Sequence, residues 1–129
     1  MDIAPVTTSY ALDDLSWLAS QHGVEAAESI TLLKSAFTAN THYPDGFLKS
    51  GLPLGKINAS GKYGPYNDAA SDGTETLVGF LYGGVEVVSG GGANLGGALL
   101  THCKVRESRL PIAVNSNGKA DVAGRIRFV

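Results

Sequence analysis

Between Leu12 and Ala19 the apolar residues Leu12, Leu15, Leu18 and Ala19 recur at the spacing of one helix face. The pattern predicts a short helix over Asp13 to His22. Asp13 and Asp14 suit its N-terminus and Gly23 its C′ position, and Trp17 lies beside the apolar face. Ahead of it, Met1 to Tyr10 has no periodicity and reads as an extended N-terminal arm. Ser29 to Phe37 alternates like a strand until Leu32-Leu33, where a bulge or burial on both faces would account for the break. Thr41 to Leu54 shows no period and carries turn signals at Tyr43-Pro44-Asp45-Gly46 and Gly51-Leu52-Pro53.

After Leu54 short strand patterns follow one another at the spacing of an all-β barrel or sandwich. They cover Gly55 to Ala59, Glu75 to Tyr82, Val85 to Val88, Ala98 to Val105, Ile112 to Val114 and Arg125 to Val129. Thr76 to Tyr82 is nearly all apolar and is expected to be a central strand. Arg125-Ile126-Arg127-Phe128 alternates cleanly, so one face should be buried and the other wet. The Gly-rich run Ser89 to Gly97 reads as a flexible hairpin loop. The expected fold is therefore mainly β, a small barrel preceded by one short helix. Residues 1–54 would form the arm, helix and anchor segment, and residues 55–129 the β-rich part of one compact domain.

The longest turn runs from Ala59 to Gly73 and feeds the apolar run Thr76-Leu77-Val78-Gly79-Phe80-Leu81-Tyr82. Gly61, Gly64 and Gly73 permit positive φ, Pro65 fixes φ, and Asp72-Gly73 is a strong tight-turn pair. This run resembles the phage lambda-type head decoration proteins, in which an Asp-Gly turn leads into an apolar Val-Gly-aliphatic-Leu strand. The later order of elements is similar too: a Gly-rich loop, the Ala98 to Val105 strand and a terminal apolar strand. The resemblance implies a β-clip-like decoration domain that forms homotrimers on the outer surface of an expanded capsid and reinforces the shell. It implies the major capsid protein as partner, no cofactor, and a place in the virion after synthesis in the host cytoplasm.

In that family the N-terminal segment attaches to a capsid-protein strand by strand addition. The region before the motif is long here and looks like an elaborated anchor. Leu15, Trp17, Leu18, Ile30 and Leu32 are its candidate contacts, with Trp17 as the main anchor, since Trp concentrates at the energetic centres of interfaces. Tyr63 and Tyr66, set inside the Gly/Pro turn, are candidates for lining a trimer or capsid interface. Individually, most aromatics in such a chain belong to the core, and Trp17 covering its own barrel is the competing reading.

Composition narrows the remaining classes. With 129 residues the chain is one domain, able to bury roughly two-thirds of its unfolded surface. Its single cysteine, Cys103, excludes an internal disulfide. The first residues show no basic-then-apolar leader, and no run approaches the ~20 apolar residues of a membrane span. Net charge is −2, from 10 basic and 12 acidic residues spread along the chain, which argues against a nucleic-acid partner. Glycine is abundant, at 17 residues, while charged residues make up only 17%. Many tight turns, or a surface partly covered by a partner, would each account for that.

Catalytic signatures come close and fail. Gly51 to Ile57 has three residues between its glycines where a phosphate loop needs four, and Ile57 stands where the Mg²⁺-binding hydroxyl belongs. In the Gly90 to Gly97 run, Leu95 occupies the third-glycine place of a dinucleotide fingerprint. His22, His42, His102 and Cys103 do not fall at zinc-motif spacing, so no metal site is expected. Asn58-Ala59-Ser60 fits the glycosylation pattern but lacks the secretory context that would use it. A generic β-barrel binding module or accessory subunit, and an enzyme with an unrecognised site, are the other classes the sequence admits.

Overall fold

The structure is a computed structural model, and it describes residues 15–20, 27–87 and 94–129. In chain order the elements are β1 (Glu28–Leu33), a 3-10 turn (Lys34–Ala36), α1 (Ala39–His42), β2 (Phe47–Leu48), β3 (Pro53–Lys56), β4 (Tyr63–Pro65) and β5 (Gly79–Leu81). They continue with β6 (Val85–Glu86), β7 (Asn94–Leu100), β8 (Cys103–Val105), a second 3-10 turn (Glu107–Arg109), α2 (Ser116–Asp121) and β9 (Ile126–Phe128). The fold is mainly β, as the short apolar runs require.

Five strands pair in the ring-like order β1-β4-β3-β5-β7, with β7 returning to β1. The antiparallel β1–β7 ladder is the longest, from Glu28↔Leu99 to Leu33↔Asn94. The β1–β4 link is a single parallel pair, Leu32↔Tyr63. β2 with β6, and β8 with β9 in parallel, make two small separate sheets. Residues on both sides of Leu54 thus build one ring, and the expected division at that position falls inside β3.

β5 explains why its sequence is apolar throughout. Phe80 and Leu81 are both fully buried, yet they enter different cores, because successive side chains on a strand point to opposite faces. Leu81 joins Leu32, Phe37, Leu48, Leu52, Leu54 and Leu99 inside the ring. Phe80 joins Trp17, Leu77, Leu100, Cys103, Val105, Val114, Val122 and Ile126 on the other side. Leu99 and Leu100 of β7 divide in the same way. β5 and β7 are therefore a wall shared by two cores, and each fully buried Leu or Phe contributes about 1.5–3 kcal/mol of transfer free energy.

Several expectations are corrected. The described part of the expected Asp13 to His22 helix, residues 15–20, is a turn followed by a bridge from Leu18 to Val105. The apolar spacing there serves an extended segment laid against β8: Ala19 N–H donates to the Lys104 carbonyl at 2.8 Å and Arg106 N–H to that of Trp17 at 2.6 Å. The Met1 to Tyr10 arm and the two ends of that helix lie outside the described residues, as do residues 89–93 of the Gly-rich run. Asn94 to Gly97 of that run is strand, held by its pairing with β1.

The Glu75 to Tyr82 strand is shorter than expected, because Thr76 N–H closes a turn on Gly73 and Leu77 N–H is taken by the Asp121 carboxylate at 2.9 Å. The Ala98 to Val105 strand breaks at Thr101-His102, where the chain passes from the ring to the β8–β9 sheet. The strand expected at Gly55 to Ala59 begins earlier, at Pro53, and Ile112 to Val114 forms none. α2 was not foreseen, since Gly118 inside it leaves no apolar stripe. Asn115 caps it, accepting the Gly118 N–H at 2.9 Å.

Trp17 is 1% exposed and its ring centroid lies 5.7 Å from that of Phe80. Its indole N–H donates to Ser50 Oγ at 2.9 Å, and the Ser50 hydroxyl donates in turn to the Tyr82 carbonyl. The polar tip of an otherwise buried ring is thereby satisfied. Trp17→Ala is expected to cost about 3–5 kcal/mol, measured by denaturant unfolding. In the wild type, emission of this sole tryptophan should be blue-shifted and move to the red on unfolding.

Candidate interaction surface

The loop joining β3 to β5 is a built object. It opens with Ile57 N–H donating to the Lys62 carbonyl and Gly61 N–H to that of Ile57, at 2.8 and 2.9 Å. Its far end is tied back where Asn58 N–H donates to Asp72 and Asn67 N–H to Thr74, at 2.8 and 2.9 Å. Between them, Tyr63–Pro65 is strand β4 and not free turn, since Gly64 pairs with Gly55 and Pro65 with Leu54. Gly61 and Gly73 have positive φ, at +75° and +114°. Gly64 does not, because it lies in the ladder with Ala36 packed closely over it.

The Asp72-Gly73 turn is held from both sides. Asp72 Oδ1 accepts the Thr74 hydroxyl at 2.6 Å and the Thr74 N–H at 3.0 Å, while Gly73 N–H donates to Glu75 Oε1 at 2.8 Å. The Thr74 hydroxyl and amide together hold the Asp72 carboxyl below its usual range. A side chain at Gly73 would combine an unfavourable φ with an approach closer than 3.0 Å to the Lys56 carbonyl oxygen and Asn58 Oδ1. Gly79, in the second half of the motif, has no room either, as a Cβ there would come closer than 3.0 Å to the Leu100 carbonyl oxygen.

The outer part of the loop is latched to α2. Asp68 Oδ2 accepts from Asn117 Nδ2 at 2.8 Å and from Asn115 Nδ2 at 3.1 Å, and the Tyr66 hydroxyl donates to Asn115 Oδ1 at 2.9 Å. Desolvation, then the nearby Asp68 and Asp121 carboxylates, raises the Tyr66 pKa. Asn115 serves the helix cap and the latch together. The sequence carried a signal for this, an Asn three residues before Gly118, but nothing in it joined that Asn to Asp68.

The candidate contact residues fall into two groups. Trp17 and Leu32 are buried at 1% and 0% in the chain's own cores, so the expected role of Trp17 as a surface anchor is overturned. Leu15, Leu18 and Tyr66 are half-buried against the Phe80 core, and Ile30 and Tyr63 against the Leu81 core. Each keeps an outward edge, but they do not converge on one patch defined by the cores they cover.

Groups with possible chemistry have structural settings. His42 accepts the Thr38 N–H on Nδ1 at 2.8 Å and packs edge-on to Phe37, and burial lowers its pKa. Burial pushes the Cys103 thiol up to about 11. Among the described residues no three His, Cys, Asp or Glu side chains are placed to hold a metal ion, and no described helix is long and apolar enough to cross a membrane. Compared with models of known protein families and with curated protein sequences, the chain matches none.

Two outcomes follow from the turn. Gly73→Val should destabilise by more than the ~1 kcal/mol of φ strain alone, because the side chain also meets backbone; thermal melting checks this. Asp72→Asn should lower stability at neutral pH and make no difference once the wild-type carboxyl is protonated. The folded-state pKa lies below the ordinary 3.8, so its contribution is complete above that value and fades as pH falls through the folded pKa. Denaturation curves of both proteins at neutral and at strongly acidic pH measure the difference.

Proposed function

We propose that this chain is a structural capsid protein of the lambda-type decoration kind. It binds the outer surface of an expanded tailed-phage head as a homotrimer and reinforces the shell. The observation that carries the reading is steric. The Asp-Gly turn and the Gly-containing strand of the resemblance sit where Gly73 and Gly79 admit no side chain. The motif is thus tied to how this domain packs. The ring-like order of five short strands supports the small-barrel, β-clip-like form of that reading.

The physical task suits such a domain. A protein that binds only the expanded shell stabilises it by mass action. Three attachments per trimer make the second and third effectively intramolecular, so each one tolerates weak contacts. The attachment is assigned to the arm of residues 1–14 together with the outward edges of Leu15 and Leu18. Trp17 is left to the core.

Sedimentation equilibrium should give a particle of three chains of 13.3 kDa. The chain should co-sediment with expanded heads assembled from the major capsid protein of its own phage, and not with unexpanded ones. A monomer that ignores both head forms would overturn the proposal. Removing residues 1–14 should abolish most head binding in a protein whose melting curve shows that it still folds. Undiminished occupancy would take the attachment away from the arm.

A further inference from the structure

The β8–β9 sheet has one greasy face and one basic face. Cys103 and Ile126, register partners at 2% and 6% exposure, point into the core. By strand alternation Lys104 and Arg127 point the other way, and Arg125 lies in the turn that leads into β9. Those three, with Ser20, His102 and Gly124, line a surface groove of about 450 Å³. Among the described residues no acidic one lines it.

The arrangement is electrostatically unfinished. Lys104 and Arg127 are direct register partners, so two like charges stand side by side across the ladder, an unfavourable pairing. The ion pairs between described residues, Asp45 with Lys49 and Glu107 with Lys119, lie elsewhere. Arg125 is fixed, its Nη1 donating to the Thr101 and Val78 carbonyls at 2.9 and 3.2 Å, which orients its guanidinium beside the groove. A chain of net charge −2 has thus gathered three of its ten Lys and Arg side chains on one small face.

We propose that this groove docks an extended acidic segment of a partner protein, with Asp or Glu at alternate positions. Every second side chain of an extended segment points the same way, so alternate carboxylates would all face the Lys104 and Arg127 pair. Guanidinium forks match carboxylates with two parallel hydrogen bonds. A single-stranded nucleic acid would bring charge of the right sign, but among the described residues no aromatic ring lines the groove for base stacking. The inference does not rest on the decoration reading.

The test titrates the full isotope-labelled chain with a capped peptide of alternating Glu and Val, and in parallel with a Lys/Val peptide and with oligothymidylate. The Glu/Val peptide should shift the amides of residues 102–104 and 124–127. Arg127→Glu and Lys104→Glu should each weaken it by about tenfold, with Arg127→Gln intermediate. Lys56→Glu, the same charge change on exposed β3, should leave affinity unchanged. Melting curves confirm that each variant is folded. No binding of the Glu/Val peptide, equal losses in Lys56→Glu and Arg127→Glu, or tighter binding of oligothymidylate would each overturn the proposal.

Discussion

The backbone of Gly79 lies so near the carbonyl oxygen of Leu100 that no residue with a side chain fits between them. That contact sets how closely β5 lies against β7, and the two strands together form the wall between both cores. With the strands this close, Phe80 and Leu100 fill one side while Leu81 and Leu99 fill the other. A domain of this size has little apolar surface to spend on separate layers. Sharing one wall lets three-residue strands bury side chains on both faces, which helps short ladders persist.

The remaining parts are fastened to that wall by satisfied polar groups. Residues 15–20 run along β8 and place Trp17 on Phe80, with Ser50 relaying its indole N–H to the Tyr82 carbonyl. The loop after β3 is locked at its base by Asp72 and Thr74 and at its tip by Asp68, Asn115 and Asn117. Among the described residues every buried side-chain nitrogen and oxygen has a partner, so these fastenings add order without leaving a buried desolvation cost.

On the proposed reading, function belongs to surfaces, and the hydrogen-bonded loop and ring-like sheet are what a shell-reinforcing protein would contribute. The basic groove over β8 and β9 is a separate feature, set by strand alternation at the C-terminal end of the chain. Both depend on the same packing, because the Cys103 and Ile126 side chains that hold the β8–β9 sheet to the core leave Lys104 and Arg127 nowhere to point but outward.

The β class was legible in the short apolar runs, and so was the central place of the Thr76 to Tyr82 run, of which Gly79–Leu81 is strand, because burial on both faces leaves a strand with no polar positions. The Asp72-Gly73 turn was legible for the same local reason: its conformation is written in a residue without a Cβ. The helix expected around Trp17 was misread, because apolar residues three and four apart suit a helix face and also suit an extended edge that meets another strand; Trp17 itself took the competing reading, inside the chain's own core. α2 escaped notice because Gly118 leaves it no apolar stripe, and the latch from its cap residue Asn115 reaches Asp68, 47 residues away. The basic face was hidden in a chain whose charges look evenly spread. Local sequence determines period, turn and backbone freedom; which distant strands become neighbours, and therefore which charges meet, is decided only when the two cores close on their shared wall.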